Sequence, residues 1–174
     1  MKTLKLIALL TLSVISQLAL AQASKGKFYS KDGRFKISFA VEPKTQSQMI
    51  DTEAGKIEMF TFMYEKSATE AYMVAYADYP SELIKKSKTK DLIAGAKNGV
   101  LKNLNSKVTE EKAIKLGNYE GLQFKAKGVE NEFYLAYKMY LVKNRLYQIA
   151  ILRDGGSPTE ESIKSFLNSF ELVN

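Results

Sequence analysis

The 174-residue chain has no histidine, no cysteine and no tryptophan. Each absence removes chemistry. Zinc sites built from Cys and His cannot form. Ser-His-Asp and Cys-His nucleophilic arrangements are excluded, and the usual general base at neutral pH is missing. Catalysis would fall to carboxylates, lysine, tyrosine or serine. No disulfide can brace the fold. A site of oxygen ligands for a hard cation stays open in principle, but no D-x-[DN]-x-[DN]-G spacing occurs. "RDGG" (Arg153 to Gly156) and "KDGR" (Lys31 to Arg34) read as turns. The sequence therefore calls for no metal and no cofactor, and no residue is assigned a catalytic role.

Two short matches look catalytic and are better explained otherwise. Ser87 and Lys90 in "SKTK" have S-x-x-K spacing, as in penicillin-binding proteins, but the companion S-D-N and K-T-G motifs are absent. A polar loop leading into a helix accounts for them. Glu110 and Glu111 are adjacent in "TEEK". On a strand they point to opposite faces and cannot cooperate as acid and base. No glycine pattern suited to cradling phosphate is present.

Long apolar runs are scarce too. The exception is at the start, where Lys2 and Lys5 precede "LIALLTLSVISQLAL" (Leu6 to Leu20). That run is too short for a membrane span of ~20 residues, and small residues follow it at cleavage spacing. Residues 1–21 read as a signal peptide, with cleavage after Ala21 preferred over cleavage after Ala23. The expectation is export to the periplasm or the medium, with no transmembrane span in the mature chain. Residues 22–174 then form one domain, large enough to bury roughly 70% of its unfolded surface. The leader holds two of the 26 basic residues and no acidic one, which leaves a net charge of +5 against the full chain's +7. That favours solubility and a weak attraction to anionic surfaces. It does not single out nucleic acid, which is not expected as a partner.

Periodicity organises the rest. "GRFKISFAV" (Gly33 to Val41) alternates as a strand, with Phe35, Ile37, Phe39 and Val41 on one side. "TQSQMID" (Thr45 to Asp51) is a weaker strand, followed by a turn at "EAG" (Glu53 to Gly55). "KIEMFTFMYE" (Lys56 to Glu65) and "AYMVAYADY" (Ala71 to Tyr79) are apolar on both faces, as in a sheet covered on both sides. "DLIAGAKNGVLKNL" (Asp91 to Leu104) has a helical stripe of Leu92, Ile93, Ala96, Val100, Leu101 and Leu104, with Thr89 as N-cap. Gly95 and Gly99 within it suggest close approach to the sheet. Two hairpins follow, the first turning at Gly117-Asn118. "SPTE" (Ser157 to Glu160) opens a last helix through a capping box, with Ile163, Phe166 and Leu167 as its apolar face.

The second hairpin, "KMYLVKNRLYQIAI" (Lys138 to Ile151), interleaves basic and aromatic residues. A three-residue loop with Asn144 left-handed would pair Met139 with Tyr147 and set Lys138 opposite Gln148. A two-residue Lys143-Asn144 turn would instead put Lys138 opposite Ile149. The first register separates polar from apolar better and is the expected one. The stretch is then a core hairpin and not a binding strip. Tyr72, Tyr76, Tyr134, Tyr137, Tyr140 and Tyr147 all fall in expected strands, where sheet packing explains them better than a sugar- or peptide-binding face.

The order of these segments resembles bacterial relatives of the PsbP-like family. The resemblance rests on "DGRFKISFAVEPK", "YADYP", "LIAGAKNGVLKNL", "EEKAIKLGNYEGLQF", "MYLVKNRLYQIAI" and "FLNSFEL", and covers Lys27 to Leu172. It implies an α+β fold in which a central antiparallel sheet is flanked by helices on both faces, an α/β/α sandwich. Family members are non-enzymatic. They include an extrinsic subunit of photosystem II and nuclear relatives that bind the GTPase Ran. The implied function is an exported binding or adaptor module of the cell envelope, with an envelope protein as partner. The alternative is a protein that holds a small apolar or anionic ligand between sheet and helix. No family site residue can be carried over. From the residues themselves, the candidate interaction surface is Lys85, Lys86, Lys88 and Lys90, four lysines in six positions. No aromatic residue interleaves them, which argues against stacked bases.

Overall fold

The computed structural model describes residues 27–52 and 55–173. The expected leader at 1–21 lies outside them, as do Glu53 and Ala54 of the expected turn. Among the described residues ten strands form two antiparallel sheets. The main sheet has seven strands in the order β3-β4-β5-β9-β8-β7-β6. These are β3 (Lys44–Thr52), β4 (Gly55–Ser67), β5 (Glu70–Asp78), β6 (Ser106–Leu116), β7 (Tyr119–Gly128), β8 (Phe133–Val142) and β9 (Arg145–Asp154). The small sheet joins β1 (Phe28–Ser30), β2 (Phe35–Ile37) and β10 (Glu171–Leu172), with β2 in the middle.

The strands that read as apolar on both faces lie at the centre of the main sheet, and each face carries its own core. On one face Ile93 of α2 (Thr89–Asn103) packs over Tyr137, Met139, Leu141 and Leu146. Leu92, Ala96, Val100, Leu101 and Leu104 line the same core, so the expected helical stripe is the stripe that packs. The short α1 (Ser81–Lys86) adds Leu83 and Ile84. On the other face Phe62, Val74, Tyr76, Tyr147 and Ile149 lie beneath Phe35, Ile37, Phe166 and Phe170.

This second face overturns the helix-flanked α+β sandwich. The described residues are mostly β, and the layer over that face is chiefly the small sheet. Its only helical part is α3 (Glu160–Ser162) continued by a π-helical turn, Ile163–Leu167. The expected last helix is present but starts later than the capping box implied, at Glu160. Thr159, not Ser157, is the N-cap, and its hydroxyl accepts from the Ser162 amide at 3.1 Å. The apolar residues Ile163, Phe166 and Leu167 are buried as expected. Phe35 and Ile37 are fully buried and Phe39 is 3% exposed. Their alternation marked a core strand correctly, but the strand is three residues long and belongs to the small sheet.

Two glycines permit close approaches within the sheets. A Cβ on Gly33 would lie 2.6 Å from the Phe35 ring and from the Ser30 hydroxyl. One on Gly121 would lie 2.4 Å from both the Met139 carbonyl oxygen and the Tyr140 ring. Gly99 does not follow its expectation, because it is exposed and a Cβ there would meet nothing within 4 Å.

The β8–β9 hairpin adopts the register that the sequence argument rejected. Tyr140 pairs with Tyr147 and Lys138 with Ile149 across a two-residue turn. Lys143, not Asn144, is left-handed, with φ 58°. Asn144 is committed elsewhere. Its carbonyl accepts from the Tyr79 amide at 2.8 Å, and its side chain donates to the Tyr79 carbonyl at 3.2 Å. Sorting polar from apolar faces failed because both faces are core. Gln148 is buried on the α2 side, where its side-chain oxygen accepts from Tyr137 at 2.9 Å. Lys138 is buried on the other side.

Candidate functional site

The expected interaction surface lies on the α1–α2 connection. Leu83 and Ile84 pack against the core, which turns Lys85 and Lys86 outward, and Lys88 and Lys90 follow at the entry to α2. All four lysines are exposed. Lys85 pairs with Glu82 at 2.9 Å, while Lys86, Lys88 and Lys90 make no ion pair among the described residues. Lys85 and Lys86 suit the C-terminal turn of α1. Lys88 and Lys90 stand at the N-terminus of α2, where the helix dipole disfavours cations. Asp91 offsets this only in part. Helix stability thus gives no reason for these two charges.

The other motifs resolve into structure. The Ser87 amide caps α1 by donating to the Leu83 carbonyl at 3.0 Å, and no hydrogen bond joins Ser87 to Lys90 among the described residues. Glu110 and Glu111 do point apart: Glu110 reaches Lys125 at 3.3 Å, and Glu111 reaches Lys97 of α2 at 2.7 Å on the opposite face. Of the six strand tyrosines, Tyr72, Tyr76, Tyr137, Tyr140 and Tyr147 are buried.

Sequence reasoning missed a groove of about 650 Å³ between β4–β5 and the α3 segment. Tyr64 and Tyr72 stack along it with ring centres 6.0 Å apart. At its centre Glu70 accepts from Tyr72 Oη at 2.6 Å and from Lys66 Nζ at 3.2 Å. Burial pushes the Glu70 carboxyl up, but the bonds from Tyr72 and Lys66 and the charges of Lys66 and Arg153 outweigh it and hold it below its ordinary value. Lys66 and Tyr72 are near neighbours of Glu70 across the short β4–β5 turn, whereas Arg153 is brought opposite Glu70 by the pairing of β5 with β9. Within the groove Lys66 and Glu70 pair with one another. Glu70→Gln is expected to cost about 1 kcal/mol at neutral pH. A lowered folded-state pKa means this stability is present above the ordinary carboxylate range and lost as pH falls through the folded value. Urea denaturation of wild type and variant should therefore converge in acid; a constant gap would remove Glu70 from the account.

A second missed feature is a row across three strands. Lys112 of β6 stands opposite Gln123 of β7, which stands opposite Lys138 of β8. Lys138 is 8% exposed. Its ammonium donates to Asn168 Oδ1 at 2.5 Å, just past the π-helical turn. Burial, reinforced by the charge of Lys112, lowers its pKa. Among the described residues no three acidic side chains converge on a metal position, and no helix is long and apolar enough to cross a membrane.

This arrangement of sheets and helices is a PsbP-like fold. The solution structure of cyanobacterial PsbP (CyanoP) from Synechocystis matches with a TM-score of 0.56 at 11% identity, over 92% of this chain and 98% of that one. A crystal structure from Bacteroides thetaiotaomicron matches at TM-score 0.46 and 12% identity, over 86% of this chain. The chain spans about half the length of that protein, 48%. PA94, a Pseudomonas aeruginosa protein of unknown function, matches at TM-score 0.41 and 8% identity, over 68% of this chain and 86% of that one. No family model and no curated protein matches the sequence. At such identities the likeness to CyanoP concerns the fold alone.

Proposed function

We propose that the protein is an exported, non-enzymatic binding module of the cell envelope. It docks an acidic envelope protein through Lys85, Lys86, Lys88 and Lys90. The observation that carries this reading is the placement of Lys88 and Lys90. They are exposed, lack an ion pair among the described residues, and sit at the helix end least suited to them. The protein-binding role is the one implied by the sequence resemblance; the likeness to a cyanobacterial PsbP concerns the fold.

The test passes envelope extract over the immobilised mature chain, with crosslinking. One or a few proteins should be retained, less so as salt is raised, since screening weakens exposed charges. Reversing all four lysines to glutamate should abolish retention. At exposed positions such changes alter stability by about 0.5 kcal/mol or less each, so an unchanged circular dichroism melt separates lost docking from lost fold. Retention of the same proteins by the reversed variant would overturn the reading.

A further inference from the structure

Two neighbouring rows of side chains cross β6, β7 and β8 on the face opposite α2, and they treat their cations differently. In one row Glu110 stands opposite Lys125, and Glu160 reaches in from α3. The Lys125 ammonium lies 3.3 Å from Glu110 and 3.0 Å from Glu160. That cation has two carboxylates. In the next row Lys138 has none. It is the more deeply buried of the two lysines, its single hydrogen bond goes to a neutral amide, and the charge that acts on it is that of another lysine, Lys112. Buried charges in folded proteins are normally paired, because desolvation must be offset by an opposite charge.

Between the two lysines lies Gln123, half-buried, with no hydrogen-bond partner for its side chain among the described residues. Adjacent strands are ~4.8 Å apart, which sets the Lys112 and Lys138 backbones ~10 Å apart across the row. Two lysine side chains span that distance easily and can meet above the Gln123 amide. Asn168 anchors Lys138 from the other side, at the end of a π-helical turn, a local structure often found at functional sites.

We propose that Lys112, Gln123 and Lys138 form a binding site for a small oxyanion, which supplies the negative charge this row lacks. Both ammonium groups and the Gln123 amide N–H donate to the anion's oxygens, while Asn168 fixes Lys138. The site lies on the opposite face of the main sheet from the docking lysines, so either can fail without the other.

The test is thermal unfolding of the mature chain in rising inorganic phosphate, with ionic strength held constant by chloride. Sulfate and acetate form parallel arms. Binding to the folded state alone raises the melting temperature with the logarithm of ligand concentration. A rise is expected in at least one arm, and the arm with the largest rise identifies a phosphoryl, sulfuryl or carboxylate ligand. In that arm the Gln123 side-chain amide signal in the 1H–15N spectrum should shift and saturate. Lys138→Met should fold in chloride, since an apolar side chain of similar length replaces a buried unpaired charge, and should lose both responses; Lys112→Gln should reduce them. If no arm exceeds chloride, or Lys138→Met keeps the full rise, the site does not exist.

Discussion

Replacing Phe35 by alanine is expected to remove about 4 kcal/mol of stability, the largest loss of any single change considered for this protein. Phe35 is fully buried. Its ring meets Phe62 edge-on at 5.2 Å, stacks on Phe170 at 5.6 Å and approaches Tyr147 at 6.3 Å. It therefore joins the small sheet to β4, β9 and the C-terminal segment at once. The Tyr147 hydroxyl donates to the Gly33 carbonyl at 2.7 Å and fixes the loop that delivers Phe35. Gly33 itself leaves no room for a side chain beside that ring. Such a rigid surround collapses poorly around a deletion, which puts the cost in the upper part of the range for large aromatic truncations. A domain with 5–15 kcal/mol in hand would be left marginal. Tyr29→Ala, on the adjacent strand but 54% exposed, should cost about 0.5 kcal/mol or less. Urea denaturation with an unchanged slope measures both. A Phe35→Ala loss below about 1 kcal/mol would mean that the small sheet does not close the second core.

The next largest effect is expected at Arg145. Its Nε and Nη2 each lie 2.7 Å from a different oxygen of Asp78, a two-pronged pairing that fixes orientation as well as charge. Nη1 donates to the Asp32 carbonyl at 2.6 Å, and the guanidinium lies 4.2 Å from the centre of the Tyr76 ring. One side chain thus ties the β1–β2 loop to the ends of β5 and β9. Arg145→Ala should cost about 3 kcal/mol: roughly 1 to 2 for the paired fork, which Asp78's partial exposure discounts, and about 1 to 2 for the carbonyl bond and ring contact together. Arg145→Lys keeps the charge without the fork and should recover less than half of that loss. Full recovery by lysine would show that charge alone matters there.

Much of the fold was legible because strong periodicities were decided by burial. The α2 stripe, the two-faced strands, the Gly117-Asn118 turn and the buried Phe35, Ile37 and Phe166 all follow from it. What failed needed information from distant parts of the chain. Lys138 was visible as a charge inside an apolar strand, but its partner Asn168 is 30 residues away. Without that partner the arithmetic of polar faces chose the wrong register. The layer over the second face was misjudged because three-residue strands and a π-helical turn leave too short a period to read. Around Glu70 the partners Lys66 and Tyr72 are close in sequence, and only Arg153, brought in by the β5–β9 pairing, needed distant information. The lysines from 85 to 90 could be read directly, since exposure needs no partner.

The docking claim is tested most directly by placing a photoreactive residue at position 88, with position 56 as the control. Lys56 is also exposed, but it adjoins Ile57 of the α2-side core on β4, so its side chain points to the opposite face of the main sheet, and it pairs with Asp51 at 3.4 Å. Crosslinking in the intact envelope should give a discrete adduct from position 88 and none of that mass from position 56. The adduct should disappear when Lys85, Lys86 and Lys90 are reversed to glutamate. Equal adducts from both positions, or none from position 88, would contradict a docking surface on the α1–α2 connection.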